Sequence, residues 1–261
     1  MSLPFESWLL IPLIISVLTG ILCPAVGTVL ITHKRLLQVN LISHSVLPGL
    51  ALAIAIGIDP AIGGVISGLV GALMAERLAS KRNEDFEAVI NTVLAGSLGL
   101  GVLIIPLLGI QIDIEAVLFG DLLTANWSDL LRTLIAFSIF SCLMMIAYQQ
   151  LVHIGLDPES AATNGIKVST LRLAFGFSTA LVIVSAMASV GVILVIGLLS
   201  APRLLGLTQA PSLWIAIVRS STIGSLISLL GFLLAVTLNL SPGPLVGVLC
   251  IASLGFLPAK K

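Results

Sequence analysis

Charge is the scarcest commodity in this chain: 12 Lys and Arg and 12 Asp and Glu in 261 residues, or 9%. A water-soluble domain carries roughly 25% charged residues, so this sequence cannot cover its own surface with water-facing groups. The two signs cancel to a formal net charge of zero, and the basic footprint of a nucleic-acid-binding protein is missing. Cysteine is equally sparse. Cys23, Cys142 and Cys250 lie far apart inside apolar stretches, with neither the spacing of a metal knuckle nor a disulfide pattern, and read as small core residues. A phosphate-cradling loop is also lacking, since the nearest lookalike, Asn164-Gly-Ile-Lys167-Val-Ser-Thr, has no first glycine at the required spacing. ATP, if it drives this protein, must be bound by another subunit. Neither a nucleophile elbow nor a zinc-protease motif appears, which argues against an enzyme.

What is present is apolar: 58% of the residues are hydrophobic and the mean hydropathy is +1.20. Crossing a hydrocarbon core takes about 20 apolar residues per helix, and most of the sequence falls into stretches of that length. The runs are too continuous for barrel strands. They predict an all-α polytopic membrane bundle of about eight or nine transmembrane helices, near 9–32, 41–57, 60–76, 87–109, 130–150, 171–187, 190–205, 213–238 and 243–258. The stretch 171–207 reads either as two short helices or as one long helix followed by a re-entrant piece. The first apolar run has no Lys or Arg ahead of it and exceeds the length of a cleavable signal, so it is expected to be retained. A single transmembrane domain spanning 1–261 is expected, with a polar segment near 153–170. No internal repeat is visible, and a duplicated transporter is not supported.

If alternate loops share a side, Lys34, Arg35, Arg77, Lys81, Arg82, Lys167, Arg172, Arg203, Arg219, Lys260 and Lys261 fall on one face, leaving only Arg132 of the 12 cations for the other. The positive-inside rule makes the crowded face cytoplasmic. The N-terminus is then outside and the C-terminus inside. Asp113, Glu115, Asp121 and Asp129 fall outside, as a solvated loop or a cation-attracting surface. Gly64 with Gly68, and Gly243 with Gly247, have the spacing that lets neighbouring helices approach closely.

Two segments carry candidate chemistry. In Asn40-Leu-Ile-Ser-His44-Ser-Val-Leu-Pro48-Gly49, residues four apart share a helix face, so the Asn40 amide and the His44 imidazole can converge on one ligand. Imidazole suits zinc, iron and manganese; the alternative is a His44 that hydrogen-bonds within the bundle or sits among headgroups. Pro48 weakens its helix and frees carbonyls that could line a path. In the second segment, Asp157 reads as an N-cap, Pro158 as the first helical residue and Gly165 as a C-terminal stop, giving about two helical turns. So short a helix is marginal alone and wants a surface to dock on; the alternative is a simple linker.

Taken in order, these segments resemble the membrane permease subunits of the ATP-binding-cassette (ABC) importers for zinc, manganese and iron, over nearly the whole chain. Ile42-Ser-His-Ser-Val-Leu-Pro-Gly49 resembles the family's SHAVLPG signature, and Leu118-Phe-Gly-Asp-Leu-Leu-Thr124 its LFGDLLA. Asp157-Pro158-Glu159 through Gly165-Ile166 resembles its ATPase-coupling helix. Val190 through Pro202 and Ser241 through Gly247 resemble its last conserved regions. The resemblance implies a homodimeric permease in a plasma (inner) membrane, with ABC ATPase subunits on its cytoplasmic face and an extracytoplasmic metal-binding protein as donor. It implies transient metal contact at His44 and Asn40, and coupling through Asp157, Pro158, Glu159 and Gly165. Zn2+ or Mn2+ is then cargo, with no permanently bound cofactor.

Two positions depart from the family pattern. The residue four before the signature histidine is commonly aspartate, whereas here it is Asn40, whose amide oxygen brings no charge and should hold a divalent ion more weakly. After Pro202, where small residues are usual, the chain has Arg203-Leu-Leu. A stand-alone secondary cation carrier or channel, and an ABC importer for a chelated or organic substrate, remain open as alternatives on sequence alone.

Overall fold

The computed structural model describes residues 9–82, 86–109, 120, 122–204 and 210–254. Among them are ten α-helices: α1 (Leu10–Thr32), α2 (Leu37–Ala55), α3 (Pro60–Arg82), α4 (Phe86–Leu107), α5 (Trp127–Leu156), α6 (Pro158–Thr163), α7 (Val168–Val190), α8 (Val192–Leu204), α9 (Leu213–Leu238) and α10 (Pro242–Leu254). A 3-10 turn, Leu122–Thr124, precedes α5. Seven helices, α1 to α5, α7 and α9, are long and apolar enough to cross a membrane, and α8 and α10 are shorter, at 13 residues each. Each expected span has its helix, and the all-α bundle is borne out. The ambiguous stretch resolves into a full-length α7 and a short α8, broken at Gly191 with φ 83° and ψ 158°. That conformation is essentially reserved for glycine. Gly120 packs on this break, so close to the Val190–Gly191 peptide that a side chain on it would strike backbone.

Helix α1 is central. A core of Ile15, Leu22, Cys23, Val26, Val29 and Leu30 on α1 packs with Leu194, Val195, Leu198 and Leu199 of α8, Ile183 and Ala186 of α7, and Phe232 of α9. In lipid, burying apolar side chains gives helices little reason to associate, so small residues and hydroxyls take over. Between α1 and α9, Ser16 and Ser228 are 2.9 Å apart through their hydroxyls, and Thr28 and Ser220 2.8 Å. Ser221 donates to the Ile21 carbonyl at 3.0 Å. These pairings run in opposite senses along the two helices, which are therefore antiparallel.

Helices α2, α3 and α4 form a second unit around Leu41, Ala75, Ile90 and Val93. It joins the first through Val46, Val184, Met187 and Val192. The backbones of α2 and α3 touch at Gly49 and Gly63, each of whose missing β-carbons would fall on the other's carbonyl oxygen. Gly64 and Gly68 also pack on α2, against Val46 and Ile42. Gly247 does not behave as its spacing suggested: a β-carbon there would have its nearest neighbour, Ile193, at 3.6 Å, ordinary contact with room for a methyl group. Helix α2 runs unbroken through Pro48. Ser67 on α3 donates to the Ser45 carbonyl at 2.6 Å, one residue from the carbonyl that Pro48, having no N–H, leaves without its helical donor.

Side-chain contacts fix which helix ends lie together. His33, Arg35, Glu76, Leu151 and Arg172 meet at one end, while Asp59, Asp129, Arg132 and Ser185 meet at the other. This is the alternation expected of successive spans, with Arg35 and Arg172 opposite Arg132. Gly49→Ala is expected to cost on the order of 1–3 kcal/mol by overpacking and to lower the melting temperature of the purified protein by about 2–10 °C. Gly96→Ala on α4, where a β-carbon meets nothing within 4 Å, should be neutral or slightly stabilising. Thermal unfolding followed by circular dichroism in detergent distinguishes the two.

Candidate functional site

Asn40 and His44 sit on successive turns of α2, both half-buried and both on one face. Among the described residues neither side chain has a hydrogen bond or ion pair, so the sequence alternative of a His44 satisfied within its own bundle is not what the protomer contains. Nor does any group of three or more His, Cys, Asp or Glu side chains come together among the described residues. The chain therefore offers an imidazole and an amide on one helix face, without further donors of these types gathered around them among the described residues.

An apolar-walled opening lies further along α2. A cavity of about 620 Å³ is lined by Val46, Leu50, Asp59, Arg132, Val184 and Met187 among others. Its polar groups form a chain that the sequence reading left unpaired. Arg132 on α5 is ion-paired with Asp59, at the start of α3, and with Asp129 one turn back, at 3.2 Å. Asp59 also caps α3 by accepting from the Ala61 N–H at 2.9 Å. Asp129 closes a capping box, accepting from the Asn126 N–H at 3.0 Å while Asn126 accepts from Ser128 N–H at 2.8 Å. Arg132 and Asp59 both stand at the ends of spans read to the same side, and that shared side was the available signal. Asp113, Glu115, Asp121 and the Leu118–Phe119 part of the LFGDLLA-like motif lie outside the described residues, as do Lys260, Lys261 and the side chains of Lys81, Arg82 and Arg203.

At the opposite end stands the polar segment. Asp157 Oδ1 accepts from the backbone N–H groups of Glu159 and Ser160 at 3.0 and 3.1 Å, and Pro158 takes the first helical position. The chain leaves α6 through Gly165 at φ 79°. The helix is six residues, Pro158–Thr163, about the two turns expected, and it stops where the sequence places its end: the Gly165 and Ile166 N–H groups turn back onto Ala162 and Ala161. Ala161 is its buried contact; Pro158, Glu159, Ser160, Ala162 and Thr163 are exposed. Helix α5 reaches this point because its 30 residues extend about 45 Å, well beyond a hydrocarbon core of about 30 Å. Leu156 at its tip is 80% exposed.

At the same end, side chains far apart along the chain gather into a cluster. The Arg35 Nη2 is 3.2 Å from Glu76 Oε1, and Arg172 Nη1 approaches the same oxygen at 3.9 Å. The Arg35 guanidinium lies over the Phe86 ring at 4.9 Å. His33 is 3.0 Å from the Leu151 carbonyl through Nε2; a carbonyl only accepts, so that nitrogen carries the proton. Burial pushes the His33 imidazole down from its ordinary 6.5 to about 4, against the pull of the Leu151 carbonyl and helped by the Arg35 and Arg172 charges.

This fold defines a multi-pass α-helical membrane protein. The chain belongs to the ABC 3 transport family, which it matches over residues 7–259. It is 30% identical over 231 residues to the "Manganese import system permease protein ScaB" of Streptococcus parasanguinis, covering 88% of this chain and 82% of that one. It is likewise 30% identical to a "Probable iron transport system membrane protein" of Haemophilus influenzae, covering 90% of each. Among solved structures, PsaBC from Streptococcus pneumoniae in complex with Fab superposes with a TM-score of 0.84 at 29% identity, over 96% of this chain and 90% of that one.

The depressed His33 value fixes the sign of a pH effect. The unfolded imidazole takes up a proton near 6.5 and the folded one only near 4, so unfolding binds protons in between and stability rises with pH across that window. The contribution is complete above about pH 6.5 and lost as the pH falls toward about 4. The melting temperature should fall on acidification through this range. In His33→Gln, which keeps an N–H donor but cannot titrate, the fall should be shallower.

Proposed function

We propose that this chain is the permease subunit of an ABC importer for a divalent transition metal, manganese or zinc, moving the ion by alternating access while a separate subunit hydrolyses ATP. The observation that carries the reading is the unpartnered Asn40–His44 face of α2, set within a chain of the ABC 3 transport family. A transported ion must be held loosely enough to leave, and an incomplete donor set suits that need. A homodimer would place two copies of the pair along a shared path, giving four donors, two imidazole and two amide. Imidazole favours the transition metals over calcium or magnesium. Manganese is favoured as cargo by the name of the relative from Streptococcus parasanguinis.

The orientation follows from charge. The end carrying Lys34, Arg35, Arg77, Lys167 and Arg172 is cytoplasmic by the positive-inside rule, with the N-terminus outside and the C-terminus inside a plasma membrane. The exposed α6, held by Asp157 and Pro158 and released at Gly165, then faces the ATPase subunit. Exposed Leu156 supplies apolar surface beside it. On the outer side, the cavity over Asp59 and Arg132 receives the ion from an extracytoplasmic metal-binding protein. The whole of 1–261 acts as one transmembrane permease domain, with 153–170 as its coupling segment.

His44→Ala, in a complex that still inserts and pairs with its ATPase, should reduce Mn2+ uptake into cells at least about tenfold, because it removes the imidazole donors from a sparse site. Uptake that persists at the wild-type rate would rule out metal contact at His44. Glu159→Trp fills the docking face, and Gly165→Val imposes about 1–2 kcal/mol of backbone strain at a left-handed position. Both should abolish co-purification of the ATPase and its stimulated hydrolysis; survival of both would remove α6 as the docking element.

A further inference from the structure

Close to α6, each arm of the hairpin that carries it makes a polar contact with another part of the bundle. On the α5 arm, the Leu151 carbonyl accepts from His33 at 3.0 Å. A β-carbon on Gly155 would come within 3.1 Å of the same imidazole, and the Phe175 ring of α7 lies 5.5 Å from it. On the α7 arm, Arg172 approaches Glu76 Oε1 at 3.9 Å. That oxygen is also held by Arg35 at 3.2 Å. Arg35 stands just ahead of α2, and the first two turns of α2 carry Asn40 and His44. One carboxylate on α3 thus touches both a cation of the docking hairpin and a cation at the foot of the helix that bears the proposed metal contacts.

The two contacts are unequal, and the inequality is informative. At 3.2 Å Arg35 is closely ion-paired with Glu76, whereas at 3.9 Å Arg172 stands at the edge of ion-pair range and contributes charge alone. The Arg172 Nε is buried without a partner, so this guanidinium has donor capacity in reserve. A relative shift of α7 against α3 of under about 1 Å brings it to hydrogen-bond range. The site is partly shielded, with Arg35, Glu76 and Arg172 side chains 14, 27 and 27% exposed, so the exchange is screened less by salt than a surface pair would be.

We propose that Glu76 is a positioning residue for transport, a carboxylate that transmits displacement of the α6 hairpin to α2 by passing between Arg35 and Arg172. Arg35 holds it in the conformation described here, and Arg172 takes it when the hairpin moves. His33 keeps the α5 arm fixed to the α1–α2 turn, so that movement of the hairpin is delivered at Arg172. The inference rests on the proposed docking role of α6 and metal role of α2, and it adds the residue that connects them.

The test uses the whole complex, permease with its ATPase and binding protein, in liposomes, measuring Mn2+ transported per ATP hydrolysed. Glu76→Gln is expected to leave the ATPase rate within about twofold of wild type and to lower the transport ratio about tenfold, while Glu76→Asp restores part of it. Arg172→Lys, which keeps the charge and loses the fork, should lower the ratio in the same direction, and its combination with Glu76→Gln should lower it no further. An unchanged ratio in an assembled Glu76→Gln complex overturns the proposal. So does a parallel loss of hydrolysis, transport and thermal stability, which marks a purely structural pair. Should Glu76→Gln fail to assemble, Glu76→Asp and Arg172→Lys decide by the same ratio. A wild-type complex that transports no Mn2+ or binds no ATPase sinks the underlying reading instead, so the two failures are separable.

Discussion

Everything in this bundle depends on how closely two helix backbones can approach in a solvent that gives apolar side chains no reason to leave it. Lipid solvates leucine as well as another helix does, so association must come from van der Waals contact over bare backbone and from hydroxyls that find partners. Gly49 against Gly63 is the sharpest instance. Gly20 against Ser225 and Ser228, and Gly27 against the Leu199 backbone, serve α1 in the same way. The Ser16–Ser228 and Thr28–Ser220 pairs add direction, because a hydroxyl has few acceptors to choose from inside a bilayer. Helix α2 is thus held by its Gly49 and by the glycines of α3 that pack on it, and the side chains of Asn40 and His44 are left without a hydrogen-bonding role among the described residues.

Charge is distributed by the same logic. Ion pairs stand at the two ends of the bundle, where water and headgroups reduce the cost of charge. The interior between them carries hydroxyl pairs. Arg132 is flanked by two carboxylates beside the cavity, whereas Glu76 is outnumbered by two guanidiniums at the opposite end. One cluster thus carries an excess acid and the other an excess base.

The helices were legible because span length and hydropathy follow directly from the thickness of a bilayer, and the α6 cap because Asp-Pro is a local signal. The end of α6 was legible too, because Gly165 is where the chain turns back onto Ala161 and Ala162. The Gly191 break was not, since the Gly120 backbone that packs on it is distant in sequence. Gly247 had the right spacing and no close neighbour, as spacing names a face without naming what it meets. Asn40 and His44 were legible as a pair. The Asp59–Arg132 and Arg35–Glu76–Arg172 clusters were not, because each joins residues from three or four elements whose adjacency is decided by packing.

The Gly49–Gly63 contact has a mechanical corollary. It fastens α2 to α3 close to the end where Asp59 meets Arg132, and leaves the end where Glu76 meets Arg172 far from the joint. The joined pair is therefore a lever with unequal arms: a tilt of about 5° centred at the level of this contact moves Glu76, about 20 Å away along α3, by about 1.7 Å, and Asp59, about 6 Å away, by only about 0.5 Å. The larger travel, on the scale of a hydrogen bond made or lost, falls at the carboxylate shared by two guanidiniums.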